Sequence, residues 1–246
     1  MEYFSAEQIR ASTPAELLAF EEALLDQAEL TAHPGFLTFW ESTTYFIVLG
    51  YSKHVCEEVF EKECARLRVP ILRRSSGGGT ILQGPGCLNY TLVLPIESAA
   101  ELETITGANR QIMQKTRDAI AALVPGKVEI QGHTDLTLDG LKFSGNAQRR
   151  KRRCLLFHGA FLYDFDLTLI SRVLRLPTQQ PDYRENRSHE SFLTLLKVDP
   201  VKIKNGLIET WNAKGNTAPE IEREVAIKMQ ELVTSKYSRD DWNFRS

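Results

Sequence analysis

The stretch RRSSGGGTILQGPGCLNY, residues 73–90, places two arginines and three consecutive glycines directly before an alternating apolar segment. Glycine suits a backbone that turns at positive φ or lies close against a ligand. Adjacent residues of a strand point to opposite faces, so Arg73 and Arg74 cannot both face a ligand, and one of them is expected to support structure. The glycines match neither the phosphate-binding nor the dinucleotide-binding pattern, and a flexible surface turn is the alternative interpretation.

A second segment, TDLTLDGLKFSG at residues 134–145, predicts a tight β-hairpin, because Asp139-Gly140 is typical of a two-residue type I′ turn. The hairpin would present one apolar and one polar face. Its expected cross-strand pairs are Leu138 with Leu141, Leu136 with Phe143, Thr137 with Lys142, and Asp135 with Ser144. The polar face is either a binding platform or an ordinary solvent-facing surface.

The rest of the chain predicts a mixed α+β fold. Thr13, Pro14 and Glu16 are typical of a helix start, and apolar residues line one face of the helix that follows. Further helices are expected over about residues 53–67, 101–124 and 218–236. Strands are expected at residues 70–74, 88–96 and 154–165, and residues 35–51 predict a hairpin that turns at 41–44.

Composition limits the classes of protein to consider. The chain has 246 residues, 42% of them hydrophobic and 25% charged, with a net charge of −2, which does not favour nucleic acid as a partner. Four cysteines without a CxxC pair predict reduced thiols and no structural metal. There is no signal peptide and no apolar run long enough to span a bilayer, so we expect one cytoplasmic domain over residues 1–246 that does not bind membranes.

The two motifs together, RRSSGGG and then LKFSGNAQ, resemble the paired signature of lipoate-protein ligases, in which a lysine precedes SGxA. The similarity also covers the approach, FWESTTYFIVLGYSKHVCEEVFEKECARLRVPILRR, and the exit, LLFHGAFLYDFDL. It extends from about residue 15 to residue 200. Two motifs in the right order are more specific than either motif alone.

This resemblance implies the α+β fold of the biotin and lipoate protein ligase catalytic domain, which is class II synthetase-like, with mixed β-sheets packed against helices. It implies an ATP-dependent reaction, with Mg²⁺, that converts lipoate or octanoate to an acyl-adenylate. The acyl group then passes to a lysine of a lipoyl acceptor domain, either of a 2-oxoacid dehydrogenase E2 subunit or of the glycine cleavage H protein.

The resemblance also assigns residues to the site. Lys142 would be the catalytic residue, contacting the acyl carboxyl oxygen and the adenylate phosphate, where a fixed cation stabilises developing negative charge. His158, inside the apolar strand, is expected to be buried and hydrogen bonded rather than catalytic. The lipoate- and adenylate-binding residues would be Arg74, Ser76, Gly77, Gly78, Gly79, Thr80, Asn89, Asp135, Ser144, Gly145, Ala147 and His158.

The sequence departs from the family in two places. Many ligases have His-Asp after the glycines, whereas this chain has LQGPGC at residues 82–87. Many also carry an accessory C-terminal domain, which we expect to be absent here, so that activation is weak or needs a separate accessory protein.

Three other functions remain open. One alternative is an octanoyltransferase or lipoyl amidotransferase, which carries the acyl group on a cysteine and uses no ATP. The segments where such enzymes place that cysteine, residues 129–135 and 174–187, contain none, which leaves Cys87 and Cys154 as outside candidates. A lipoyl-binding module without chemistry also remains open, and a biotin ligase fits less well because its glycine-and-arginine motif differs.

Five consecutive cations, at residues 149–153, stand out in a chain that is otherwise near neutrality. They are either a solvated loop or a docking surface for an acidic acceptor domain. Nucleic-acid binding is disfavoured because no aromatic residue interrupts the run.

Overall fold

A mixed eight-stranded sheet forms the centre of the fold in our computed structural model, which describes residues 1–215 and 217–245. The strands in chain order are β1 (Glu2–Tyr3), β2 (Phe36–Trp40), β3 (Phe46–Leu49), β4 (Ile71–Arg73), β5 (Ile81–Gln83), β6 (Cys87–Pro95), β7 (Val128–Gln131), β8 (Asp135–Leu138), β9 (Leu141–Arg150), β10 (Cys154–Leu162) and β11 (Lys214–Gly215). The large sheet has the order β11-β1-β2-β6-β10-β9-β8-β7, and β4-β3-β5 form a second, smaller sheet.

Helices pack against these sheets, which confirms the predicted α+β class. They are α1 (Pro14–Thr31), α2 (Val55–Glu58), α3 (Glu61–Leu67), α4 (Ile105–Ala121), α5 (Leu167–Val173), α6 (His189–Phe192), α7 (Pro200–Thr210), α8 (Pro219–Leu232) and α9 (Asp240–Asn243). A π-helical turn, Val233–Tyr237, continues α8. Across the described residues, no helix combines the length and the apolar character needed to cross a membrane.

The first helix follows the sequence prediction closely. Thr13 caps α1 because its side chain accepts a hydrogen bond from the backbone amide of Glu16. The Glu16 carboxylate accepts one from the backbone amide of Thr13, which completes a capping box. The predicted apolar face of Leu17, Phe20, Leu24 and Ala28 is buried. The helix is therefore held at its start by local bonds and along its length by the core.

The predicted hairpin over residues 35–51 is wrong. Strand β2 pairs with β1 and β6 in the large sheet, whereas β3 pairs with β4 and β5 in the small sheet. The connection between them crosses from one sheet to the other, and Glu41 accepts hydrogen bonds there from the Gly86 amide and the Tyr163 hydroxyl. Both strands are buried on both faces, so their apolar composition carries no information about which strand lies beside them.

Two predicted helices are shorter than expected. Residues 53–67 form α2 and α3, separated because Val59 is extended and makes a β-bridge with Leu174. The helix expected over 101–124 begins instead at Ile105, after a 3₁₀ turn at Ala100–Glu103, and ends at Ala121. Ile105, expected on the buried face, is 59% exposed.

The hairpin of β8 and β9 turns at Asp139 and Gly140, whose φ angles of 51° and 82° fit the predicted type I′ turn. Two of the four expected pairs are present, Leu138 with Leu141 and Thr137 with Lys142. Beyond them a β-bulge shifts the register, so Leu136 pairs with Ser144 and Asp135 with Gly145. The extra residue, Phe143, is fully buried among core side chains, and this burial accounts for the bulge.

The five consecutive cations do not form a solvated loop. Arg149 pairs with Glu22 at 2.7 Å and Lys151 with Asp26 at 2.5 Å, and Arg153 lies 4.0 Å from Glu29. These acidic residues recur every three or four positions and so share one face of α1. Arg150 donates to the carbonyl oxygens of Leu102 and Glu103. Most of the run therefore fastens β9 and β10 to the helices, and the alternative interpretation, a docking surface, is largely occupied by contacts within the protein.

Candidate active site

A cavity of about 950 Å³ opens where the glycine loop, residues 76–80, faces the β8–β9 hairpin. Lys142 and ten of the twelve predicted binding residues line it; Ser76 and Gly77 do not. The cavity lining also includes apolar side chains, among them Val48, Leu82 and Ile170. A lining that combines a cation with apolar side chains suits a ligand with a charged head and a hydrocarbon chain.

Lys142 is held in a defined position. Its ammonium group lies 2.8 Å from Asp135 Oδ1, and Tyr183 donates its hydroxyl to Asp135 Oδ2 at 2.7 Å. Burial, followed by the neighbouring Asp135 charge, raises the pKa of Tyr183, so the phenol remains a hydrogen-bond donor. Gly145 makes room for the lysine, because a Cβ atom there would lie 3.0 Å from Lys142 Nζ. The Asp135 carboxylate therefore orients the ammonium group, and the missing side chain of Gly145 leaves space for it.

The two arginines of the opening motif point to opposite sides, as the strand alternation predicts. Arg73 is 1% exposed, and its guanidinium donates to six backbone carbonyl oxygens, those of Gly50, Tyr51, Lys53, Trp242, Asn243 and Arg245. It therefore fastens the C-terminal segment and the loop after β3 to β4.

Arg74 faces the cavity and organises the glycine loop. Its Nη2 donates to the carbonyl oxygens of Gly77 at 2.5 Å and Gly79 at 2.8 Å. Gly78 lies between them at φ +88°, a conformation that side chains rarely adopt. Burial lowers the pKa of Arg74 to about 10, which still leaves the guanidinium charged at neutral pH. The carbonyl oxygens of Gly77 and Gly79 therefore both accept hydrogen bonds from this buried charge.

His158 is partly buried, with its side chain 13% exposed, and it is hydrogen bonded on both ring nitrogens. Nδ1 lies 2.7 Å from Glu21 Oε2, and Nε2 lies 2.6 Å from the Ser76 hydroxyl. Ser76 in turn accepts a hydrogen bond from Arg74 Nε at 2.9 Å. Ser76 therefore lies behind the cavity wall, where it contacts the residues that form the wall.

Asn89 and Ser144 line the cavity but already have protein partners. Asn89 and Gln83 exchange two amide hydrogen bonds of 2.6 and 2.8 Å, so Gln83, in the segment that departs from the family, makes a neutral pair. Ser144 accepts from Asn146 Nδ2 at 3.3 Å. Thr80 differs, because its buried hydroxyl has no hydrogen-bond partner and is free to meet a ligand.

The cysteines are separated by the fold. Cys87 lines the cavity but is 1% exposed, and burial raises the pKa of its thiol well above the ordinary value. Cys154 is buried too, packs in a different core cluster and lies outside this cavity. Burial also raises the pKa of Cys154. Because the thiolate is the nucleophilic form, neither residue is prepared for covalent catalysis.

Sequence reasoning missed three residues at this site. Glu21 occupies the middle of the apolar face of α1, between Leu17 and Leu24, and a carboxylate in that position was a detectable signal. Asn146 connects β9 to β6 by accepting from the Tyr90 hydroxyl at 2.7 Å, and to the residue before β8 by donating to the Thr134 carbonyl oxygen at 2.6 Å. Tyr183 carries no local signal, since only the tertiary fold brings it to Asp135.

Comparisons with known proteins identify relatives of this chain. Octanoyltransferase LipM of Geobacillus kaustophilus is 25% identical over 94% of this chain and 94% of its own length. Lipoate-protein ligase A subunit 1 of Thermoplasma acidophilum is 24% identical over 92% of this chain and 90% of its own.

Two solved structures share the fold. The bi-partite lipoate protein ligase of Thermoplasma acidophilum, whose structural analysis included its E2 lipoyl domain, superposes with a TM-score of 0.78 at 21% identity, covering 99% of this chain and 95% of the other. A lipoate-protein ligase A bound with ATP gives a TM-score of 0.78 at 21% identity, with 99% of both chains covered. The family model described as the lipoyl protein ligase A/B catalytic domain matches residues 13–201, which is most of the sequence, and the chain therefore belongs to that family.

Proposed function

We propose that this protein is an ATP-dependent lipoate-protein ligase, which activates lipoate or octanoate as an acyl-adenylate and transfers the acyl group to a lysine of a lipoyl acceptor domain. One observation carries the proposal. In the part of the chain that the structure describes, Cys87 is the one thiol that lines the cavity, and it is buried and poorly ionised, whereas Lys142 offers a positioned cation. A mixed anhydride needs such a cation and no thiol.

The residues of the site have consistent roles in this reaction. Both half-reactions develop negative charge on acyl or phosphoryl oxygens, which the Lys142 ammonium group would stabilise. Asp135 and Tyr183 hold that group in place through bonds of 2.8 and 2.7 Å. The acyl chain would lie along the apolar side chains of the cavity lining, with its carboxyl end at Lys142. Adenylate is a good leaving group, and the acceptor lysine supplies the attacking amine.

The residues fit an arriving nucleotide better than a resident metal. Within residues 1–215 and 217–245, no three His, Cys, Asp or Glu side chains are placed to hold a metal ion. Mg²⁺ usually keeps several waters and binds through substrate phosphates, so it would enter together with ATP. The similarity in fold to a lipoate-protein ligase A bound with ATP supports this nucleotide.

A second protein is part of the proposal. The similar protein from Thermoplasma acidophilum is named subunit 1 of a lipoate-protein ligase A, and the ligase from that organism is described as bi-partite. We therefore infer that full activity of this chain requires a separate accessory protein, and that its acceptor is a lipoyl domain of an E2 subunit or an H protein.

The alternative function is an ATP-independent octanoyltransferase. It is favoured by the similarity to octanoyltransferase LipM over nearly the whole of both chains. In this case a thiol carries the acyl group, and Cys87, which lines the cavity, is the candidate. The two functions make opposite predictions about ATP and about thiols.

The deciding experiment is to incubate the protein, with and without an accessory protein, with an acceptor lipoyl domain and either lipoate plus ATP or an octanoyl thioester alone. We expect the acceptor to gain the acyl mass only when ATP is present. Lys142→Ala and Lys142→Arg should both abolish transfer, because a planar guanidinium does not replace a compact ammonium group at a crowded phosphate. Cys87→Ser and Cys154→Ser serve as matched controls and should retain activity.

Mass spectrometry of the protein itself provides the contradicting outcome. A hydroxylamine-labile acyl adduct on Cys87 or Cys154, formed from the thioester when acceptor is withheld, would establish the transferase mechanism instead. Transfer of the octanoyl group from the thioester to the acceptor domain without ATP would also establish the transferase mechanism.

A further inference from the structure

We infer that Glu21, His158 and Ser76 form a positioning relay that holds Arg74 and, through it, the glycine loop of residues 76–80. The relay joins three parts of the chain that are distant in sequence: α1, β10, and the segment that leads from the end of β4 into the loop. Its consequence for acyl binding rests on the proposed function, whereas its consequence for the loop does not.

The relay is continuous. Glu21 Oε2 lies 2.7 Å from His158 Nδ1, His158 Nε2 lies 2.6 Å from Ser76 Oγ, and Arg74 Nε lies 2.9 Å from the same oxygen. Arg74 then donates to the carbonyl oxygens of Gly77 and Gly79. Each step is within hydrogen-bond distance, so no water is needed to connect α1 with the glycine loop.

Glu21 is the hydrogen-bond acceptor at its end of the relay. Its other oxygen accepts from Trp40 Nε1 at 3.0 Å and from the Thr91 hydroxyl at 2.5 Å. Burial alone would raise the pKa of Glu21, but the His158 ring and these donors hold it below its ordinary value. An ionised carboxylate only accepts, so we assign the proton on the ring to Nδ1.

The rest of the relay continues from the other ring nitrogen. His158 Nε2 shares a hydrogen bond with the Ser76 hydroxyl, and the Ser76 oxygen accepts from Arg74 Nε. A buried carboxylate and a buried guanidinium therefore terminate the relay, and the His158 ring and the Ser76 hydroxyl connect them.

Burial explains why this arrangement controls the loop. Ser76 is 2% exposed, Arg74 6% and Glu21 3%, whereas the glycines at 77–79 are exposed. Exposed glycines retain the most backbone freedom of any residue type, so the loop needs an external support. Breaking the relay would leave Arg74 Nε with only its 3.1 Å hydrogen bond to the Gly77 carbonyl oxygen, so the buried guanidinium would be held less firmly against the loop.

The same geometry argues against Ser76 as an acyl carrier, although a serine, histidine and carboxylate in line resemble a hydrolytic triad. Ser76 is not part of the cavity lining, and its oxygen already accepts from a cation, which lowers its nucleophilicity. The relay residues are therefore positioning residues.

Two substitutions at His158 separate the halves of the relay. An asparagine amide nitrogen occupies roughly the place of Nδ1, so His158→Asn keeps the hydrogen bond to Glu21 and loses the one to Ser76. A glutamine amide reaches roughly as far as Nε2, so His158→Gln keeps the hydrogen bond to Ser76 and loses the one to Glu21. Thr91→Val is the matched control, because it removes a hydrogen bond to the same carboxylate but leaves the relay intact.

The readout is amide hydrogen exchange of residues 76–80, together with octanoate binding by calorimetry. For His158→Asn we expect loop exchange and the Kd for octanoate each to rise by roughly 10-fold, the loss of one hydrogen bond to a buried group. In His158→Gln, loop exchange and the Kd for octanoate should both lie between those of His158→Asn and wild type. Thr91→Val should change neither quantity by more than about 2-fold.

Three outcomes would overturn the relay: unchanged loop exchange in His158→Asn, an equal increase in Thr91→Val, or an acyl ester on Ser76 in the mass spectrum of the wild-type protein. Loop exchange is measured without substrate, so failure of the relay and failure of the ligase reaction are distinguishable. A faster loop in His158→Asn combined with ATP-independent transfer would support the relay and refute the ligase.

Discussion

Replacing Gly78 with alanine tests whether the backbone of the glycine loop is shaped around Arg74. Gly78 has a φ of +88°, and a Cβ atom added there would lie 2.9 Å from Arg74 Nη2. The left-handed backbone alone costs an L-residue about 1–2 kcal/mol. The close contact also pushes the guanidinium from the carbonyl oxygens of Gly77 and Gly79, and weakening one such charged hydrogen bond costs about 1.5 kcal/mol.

The sum, about 2–4 kcal/mol, is an upper limit, because an exposed loop can relax locally. We therefore expect the free energy of unfolding to fall by about 1–2 kcal/mol, a decrease of roughly 2–8 °C in Tm for a chain of this length. Urea and thermal unfolding measure it, and octanoate titration should show weaker binding in the same variant.

Gly79→Ala is the matched control in the same loop. Gly79 has no atom within 4 Å of an added Cβ and does not require positive φ. Its unfolding free energy should stay within about 0.5 kcal/mol of wild type. Equal losses in the two variants, or no loss in Gly78→Ala, would contradict this prediction, because the loop would then be a flexible surface turn.

Other parts of the structure give further predictions. Gly145→Ala places a methyl group 3.0 Å from Lys142 Nζ, so acyl transfer should fall while Tm changes by less than about 2 °C; unchanged transfer would show that Lys142 does not need its present position. Glu22→Ala leaves Arg149 and Lys236 without their buried partner and should cost about 3–5 kcal/mol in urea unfolding, whereas a loss below about 1 kcal/mol would mean that these pairs are not structural. Burial opposes ionisation of Glu22, but hydrogen bonds from Lys236 and Tyr237 hold its pKa below the ordinary 4.5. Its contribution is therefore complete above pH 4.5 and lost as the pH falls below that value, so acid should destabilise wild type more steeply than Glu22→Ala. Cys56 is the exposed cysteine and the other three are buried, so a thiol reagent should titrate one thiol rapidly in the native protein and all four after unfolding; rapid reaction of a second thiol would contradict the burial of Cys87.

Features that depend on neighbouring residues could be predicted from the sequence alone. Thr13 and Glu16 cap α1 because their side chains reach backbone groups three residues away. Asp139 and Gly140 form their turn because both accept positive φ. The glycine loop and the lysine hairpin were recognisable because each is a short contiguous motif, and their order along the chain resembled one family.

The contacts between distant segments could be known only from the folded chain. The apolar strands β2 and β3 read alike in sequence, yet they belong to different sheets because each is paired by strands elsewhere in the chain. The bulge in β9 depends on the burial of Phe143, and a period-two pattern contains no information about such an insertion.

The site shows the same division. Lys142 was identifiable from its motif, but its orientation by Asp135 and Tyr183 depends on a contact across 48 residues. The cations at residues 149–153 resembled a free surface because α1, whose acidic face neutralises three of them, lies more than a hundred residues earlier. Sequence patterns predict interactions between residues that are close along the chain. The interactions that orient this site join buried groups that are distant in sequence and meet only when the whole chain has folded.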